Sequence, residues 1–113
     1  MTDQYAASVV ESRGRLQTNQ GGRRRDYRPL ISVTFADKHI ARAFLEHVGR
    51  GHLNTFNPRS NPSMTIHAWE CKGAGAVEVL ERLTPHMLGS LREHAEYILA
   101  RDRARDTKNG AAA

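Results

Sequence analysis

The sequence is short of the residues that staple small extracellular domains or span membranes. It has one cysteine, Cys71, in 113 residues, so no disulfide framework can form within the chain. No apolar run approaches the roughly 18 residues a membrane span needs. The first residues lack the basic-then-apolar pattern of a signal peptide. These absences point to a soluble, cytoplasmic protein with no membrane partner. Aromatic residues make up 6% of the chain, with one tryptophan and three phenylalanines, which supports one modest core. Such a core leaves little room for a chain that must bury a large substrate alone. The six histidines (His39, His47, His52, His67, His86 and His94) show no zinc-ligand spacing with Cys71. No phosphate-cradling glycine loop or nucleophile motif is present.

Acidic charge is scarce in one part of the chain. The formal net charge is +5. Between Arg13 and Arg59 stand ten basic residues against Asp26, Asp37 and Glu46, a local net charge of +7. The seven basic and nine acidic residues outside that stretch net −2. A surface that concentrates cations in this way suits a phosphate backbone. Solubility alone would also be served by net charge, so charge does not decide between the two.

The chain reads as alternating helices and hairpins. Residues 4–12 form a helix of small and apolar residues, which favours close packing against another helix. Gly14 can end it. Arg15 to Asn19 alternates, Gln20 to Arg25 forms a turn, and Tyr27 to Ala36 is a strand. Asp37 is the expected N-cap for a helix with Ile40, Ala43, Phe44, His47 and Val48 at helical spacing, stopped by Gly49 and Gly51. The environment expected for His47 is a buried, hydrogen-bonded one. His52 to Phe56 is a third strand, and 57–62 is a loop rich in proline and asparagine. Met64 to Cys71 is a fourth strand, with Met64, Ile66 and Ala68 expected on one face and Thr65, His67 and Trp69 on the other. Helices then follow around Ala76 to Leu83 and Leu88 to Leu99. The expected organisation is one domain over residues 1–105 and a flexible tail over 106–113. The fold class is α+β, with a four-stranded antiparallel sheet covered by helices on one face and open on the other.

Three separated segments carry a family resemblance. The run Tyr5-Ala6-Ala7-Ser8-Val9-Val10-Glu11-Ser12-Arg13-Gly14-Arg15-Leu16 resembles the motif helix of the LAGLIDADG homing endonucleases. Tyr5, Ala7 and Gly14 match it directly, and Val9, Val10, Glu11 and Leu16 match conservatively. Trp69 to Gly73, followed by Ala76 to Pro85, resembles that family's fourth strand and next helix. Arg92-Glu93-His94-Ala95-Glu96 resembles its Arg-Glu-Gln-Ala-Glu segment. The resemblance covers residues 5–99 in the right element order. It implies an αββαββαα fold whose open sheet face forms a saddle over double-stranded DNA. A chain with one motif would pair with a second copy along the motif helix, through Ala6, Ala7, Ser8, Val10 and Glu11. A twofold dimer reads a near-palindromic site. The implied setting is a nucleoid-associated protein, or one encoded by a phage or mobile element.

Strand parity then assigns the DNA-facing residues. With Leu16, Ile31, Val33, Phe35, Leu53, Met64 and Ile66 under the helices, the open face carries Arg15, Gln17, Asn19, Arg28, Ser32, Thr34, His52, Asn54, Thr65 and His67. These side chains can bond base edges or phosphates, or stand merely solvated. Leu30 and Phe56 share that face and fit it less well, unless they touch thymine methyl groups or sugars. Arg23, Arg24 and Arg25 at the hairpin tip, with Arg13 and Arg59, complete the candidate phosphate contacts.

The resemblance also says where cutting chemistry would sit. The family binds Mg²⁺ through the second acid of the motif, just before its last glycine, and that position here is Arg13. A guanidinium cannot ligate a hard cation. Glu11 lies two residues earlier, a rotation of about 200° on a helix, so it does not simply substitute. It is the one candidate catalytic or metal-binding acid. The family's lysine after the third helix falls here at Ser90 or Leu91. The expectation is therefore a catalytically degenerate DNA-binding homodimer with no cofactor, acting as a repressor or a domesticated site-recognition protein. The alternative is an active, Mg²⁺-dependent endonuclease making a double-strand break. A protein-interaction domain and an RNA binder are further readings.

Overall fold

The computed structural model describes residues 1–19 and 28–112. Thr2 caps the first helix, α1 (Asp3–Arg13), by accepting the amide of Tyr5. Strands β1 (Gly14–Asn19) and β2 (Arg28–Phe35) follow. Asp37 caps α2 (Lys38–Val48) through the amides of His39 and Ile40, at 2.8 and 3.2 Å. That helix ends, as expected, at Gly49, which takes a left-handed φ of 71°. Then come β3 (His52–Phe56), β4 (Ile66–Lys72), α3 (Gly73–Leu83), a 3-10 turn (Thr84–His86) and α4 (Ser90–Ala112). The αββαββαα order expected from the sequence is the order observed.

The four strands pair antiparallel in the order β1-β2-β4-β3. All four helices contact the sheet or one another on a single side. The core there includes Leu16, Ile31, Val33 and Phe35 from the first hairpin and Trp69 and Cys71 from β4. Phe44 of α2 meets the Trp69 ring edge-on at 4.9 Å and the Phe35 ring at 5.4 Å. Burying these three rings, with Phe44 touching the other two, contributes several kcal/mol, about 25 cal/mol for each Å² of apolar area. This cluster sets the rotation of α2. Its buried stripe is Ala41, Phe44 and Val48, with Leu45 partly covered, while Ile40 is exposed.

The fourth strand corrects the sequence reading. Register pairs Phe35 with His67, Val33 with Trp69 and Ile31 with Cys71. His67, Trp69 and Cys71 therefore point into the core, and Ile66, Ala68 and Glu70 point to the open face. The expected assignment was the reverse. Met64 is exposed and, with Thr65, lies in the loop before the strand. The side-chain period of a strand is two, so inverting one residue inverts all of them. Trp69 decides the matter, because leaving its ring in water would cost more than exposing Ile66 and Ala68. Its indole N–H donates to the Arg50 carbonyl at 2.8 Å.

One polar cluster ties α1 to two other helices. Asp3 Oδ1 accepts from His47 Nε2 at 2.7 Å and from Arg82 Nε at 2.8 Å. Arg82 also reaches the Val48 carbonyl. His47 is thus partly buried and hydrogen-bonded, as its position on α2 suggested. The His47 hydrogen bond, and beyond it the charge and hydrogen bond of Arg82, hold the Asp3 carboxyl below the usual carboxylate range despite partial burial. Among the described residues no helix is long and apolar enough to cross a membrane.

Candidate nucleic-acid interface

The uncovered sheet face is organised in rows that run across the strands. Register places Arg15, Ser32, Glu70 and His52 side by side, one from each strand. The row towards the hairpin tip holds Gln17, Leu30 and Lys72. The row on the other side holds Thr34, Ala68 and Asn54, and Phe56 and Ile66 pair beyond it. Neighbouring strands lie about 4.8 Å apart, and successive rows about 6.8 Å apart. Two base-pair steps span about the same distance as the gap between successive rows. The face is thus a grid of donors and acceptors with an apolar corner, on the scale of base edges in a major groove.

Six of the expected residues share this face: Arg15, Gln17, Ser32, Thr34, His52 and Asn54. Asn19 and Arg28 pair at the end of the first hairpin, and their side chains lie outside the description. Arg23, Arg24 and Arg25 lie outside the described residues. Arg13 is exposed at the last position of α1, and Arg59 and Thr65 are exposed in the β3–β4 loop. His67 does not belong to the face. It is 9% exposed on the covered side, where its Nδ1 meets Thr55 Oγ1 at 3.0 Å. Sequence reasoning missed Glu70, Lys72, Ile66 and Ala68. The one hint was the bulk of Trp69, which by itself leaves either parity of β4 open.

The end of α1 holds one acid and one base in different roles. Glu11 reaches across to the segment before α4. Its Oε1 accepts the Leu88 amide at 2.8 Å, and its Oε2 accepts the Gly89 amide. The carboxylate is therefore committed to joining α1 to the start of α4. Arg13 stands where the family pattern would put the metal-binding acid, and its cation in the last turn complements the helix dipole. Among the described residues no three His, Cys, Asp or Glu side chains converge as metal ligands. The donors at the end of α1, a guanidinium and, on another side of the helix, a carboxylate already bound by two amides, do not fit a Mg²⁺ ion.

The inner and outer faces of α1 differ from expectation. Ala6, Ala7 and Val10 are 0% exposed, so they have no surface left for a second chain to cover. Their small size lets α1 approach the sheet and α3 of the same chain. The outward face carries Tyr5, Ser8 and Ser12, which line a shallow groove with Pro85, His86 and Leu88. Tyr5 is 51% and Leu88 92% exposed.

No protein-family model matches the sequence, and no curated protein matches it either. Solved structures do match it in fold. The homing endonuclease I-CvuI, in complex with the I-CreI target in 2 mM Mg with the DNA not cleaved, gives a TM-score of 0.69 and 16% identity over 87% of this chain. I-CvuI with its own target in 2 mM Ca gives 0.67 and 16% over 87%. The archaeal intron-encoded homing endonuclease I-Vdi141I, complexed with DNA, gives 0.67 and 16% over 96%. The chain spans 63% of the length of the I-CvuI chains and 69% of the I-Vdi141I chain. At this identity the likeness is one of fold: the chain has the α+β fold of the LAGLIDADG homing endonucleases.

Proposed function

We propose that a chain with this fold and this open face binds double-stranded DNA sequence-selectively, as a homodimer joined along α1, and does not cut it. The observation that carries the reading is the open face, where Arg15, Gln17, Ser32, Thr34, His52 and Asn54 stand on one side of a sheet whose other side is covered. These groups bond base edges and phosphates. Arg13 at the exposed end of α1 and Arg59 in the β3–β4 loop would add phosphate contacts, as would Arg23, Arg24 and Arg25. Solved structures with the same fold were determined on DNA, which supports the choice of partner. A B-form major groove admits a two-stranded ribbon, whereas the deep, narrow major groove of duplex RNA does not. The dimer would form on the outward face of α1, with Tyr5, Ser8 and Leu88 at the contact. Arg13 and the commitment of Glu11 to Leu88 and Gly89 argue against cleavage. A repressor or a site-recognition protein derived from a nuclease fits these properties.

The test is selection of bound duplexes from a randomised pool, followed by affinity measurement across salt concentrations. Binding should weaken steeply with salt, by about 0.9 log unit per log unit of salt for each phosphate neutralised. Duplex RNA should compete poorly. Incubation with Mg²⁺ or Mn²⁺ should leave the selected site intact. Strand breaks that disappear in Glu11→Ala would establish an active endonuclease instead.

A further inference from the structure

We propose that Glu70 selects a cytosine in the bound site, with His52 beside it engaging the guanine of the same base pair; the inference rests on the DNA-binding reading above. Glu70 is the one acid among the described strand residues of the open face. It sits on β4, inside the sheet, between Ser32 of β2 and His52 of β3. A carboxylate there is unfavourable for attraction to phosphates, so it lowers indiscriminate affinity. It also faces the centre of the grid, where a groove floor would lie. Its Oε2 stands 4.0 Å from His52 Nε2, with the Glu70 side chain 34% and the His52 side chain 58% exposed. That separation exceeds hydrogen-bonding distance, so both groups can bond a ligand.

An ionised carboxylate only accepts hydrogen bonds. The major groove offers two kinds of donor, the cytosine N4 amino group and the adenine N6 amino group. Adenine sets its amino group beside the N7 acceptor. Guanine presents two acceptors, and thymine presents O4 and a methyl group. Cytosine alone offers a donor with no acceptor on its own major-groove edge, so it is the base that a carboxylate tolerates best. The paired guanine places N7 and O6 alongside, where a ring N–H of His52, one strand away, can donate. The Glu70–His52 pair thus presents one acceptor and one donor in the order that a C·G pair requires.

The test compares duplexes selected by the full chain with those selected by Glu70→Gln and Glu70→Ala. The wild type should require a C·G pair at one position of each half-site. Glu70→Gln should shift that position towards A·T, because an amide can bond adenine N6 and N7 together. Glu70→Ala should level it. The preference for cytosine should change roughly tenfold or more, with every other position unchanged. Affinity for unrelated duplex should rise in both variants. Variants that keep the wild-type preference at every position, or lose preference at all positions alike, would overturn the assignment and leave the DNA-binding reading standing. A wild type that binds no duplex would overturn both.

Discussion

At Gly51 the backbone has a φ of 90°, and a Cβ there would lie 2.6 Å from both the Glu70 carbonyl oxygen and Trp69 Nε1. The glycine lets the chain enter β3 over the buried indole, which bonds the neighbouring Arg50 carbonyl. Gly51→Ala would introduce a strained backbone and a clash against the aromatic cluster. We expect a loss of about 1–3 kcal/mol, read as a fall in thermal midpoint of at least about 4 °C. An unchanged midpoint would show that the β3 entry relaxes freely. Neither constraint is visible in the local sequence, where Gly49 and Gly51 read only as a helix stop.

The elements are held together by polar ties that join distant parts of the chain. Glu11 accepts two amides 77 and 78 residues away. Glu11→Ala leaves those amides without their carboxylate and should cost about 1–3 kcal/mol, measured by urea unfolding. A neutral result would mean that water replaces the carboxylate at no cost. The Asp3 and Asp37 carboxyls are both held below their ordinary range, Asp3 by His47 and Arg82 and Asp37 by the amides of Ile40 and His39. At a given acidic pH the folded state then binds fewer protons at these sites than the unfolded state does. Their contribution is complete above the unfolded value and is lost as pH falls through the folded value, from about pH 4 downward. The Asp3→Asn, Asp37→Asn double variant should therefore lose less stability between pH 7 and pH 3 than the wild type. Urea midpoints at the two pH values give the comparison, and equal losses would count against both ties. At position 37 asparagine caps a helix about as well as aspartate, so α2 should survive the change.

For the whole molecule, the proposed function gives the outward face of α1 and the open sheet face different work. Leu88 is 92% exposed and belongs to the groove beside α1. Leu88→Glu should leave the unfolding free energy of a dilute, monomeric sample within about 0.5 kcal/mol of the parent, as surface changes usually do. It should halve the mass seen by light scattering at concentrations where the parent is dimeric, and weaken binding to a palindromic site far more than to a half-site. A variant that remains dimeric would place the contact elsewhere. Of the basic stretch from Arg13 to Arg59, Arg15 stands on the open face, Arg59 lies in the β3–β4 loop, and Lys38 and Arg42 belong to α2 on the covered side.

The order of elements, the caps at Asp37 and Gly49 and the covered parity of β1 and β2 were legible in the sequence. Periodicity and turn residues act within a few positions, and those features are local. Parity of β4 was not legible, because Met64 to Cys71 alternates acceptably in either sense. Pairing with β2 and the burial of Trp69 against Phe44 decided it. The same holds for α1, whose small residues would suit a partner helix or its own subunit. Packing against the sheet and α3 took Ala6, Ala7 and Val10 into the core. By itself the sequence determined a basic αββαββαα chain with an arginine at the end of its motif helix. The tertiary structure alone decided that Glu11 is spent on the start of α4 and that Glu70, not His67, stands on the open face. Contacts between residues far apart in the chain settle which of two equivalent alternations faces inward, and local pattern cannot.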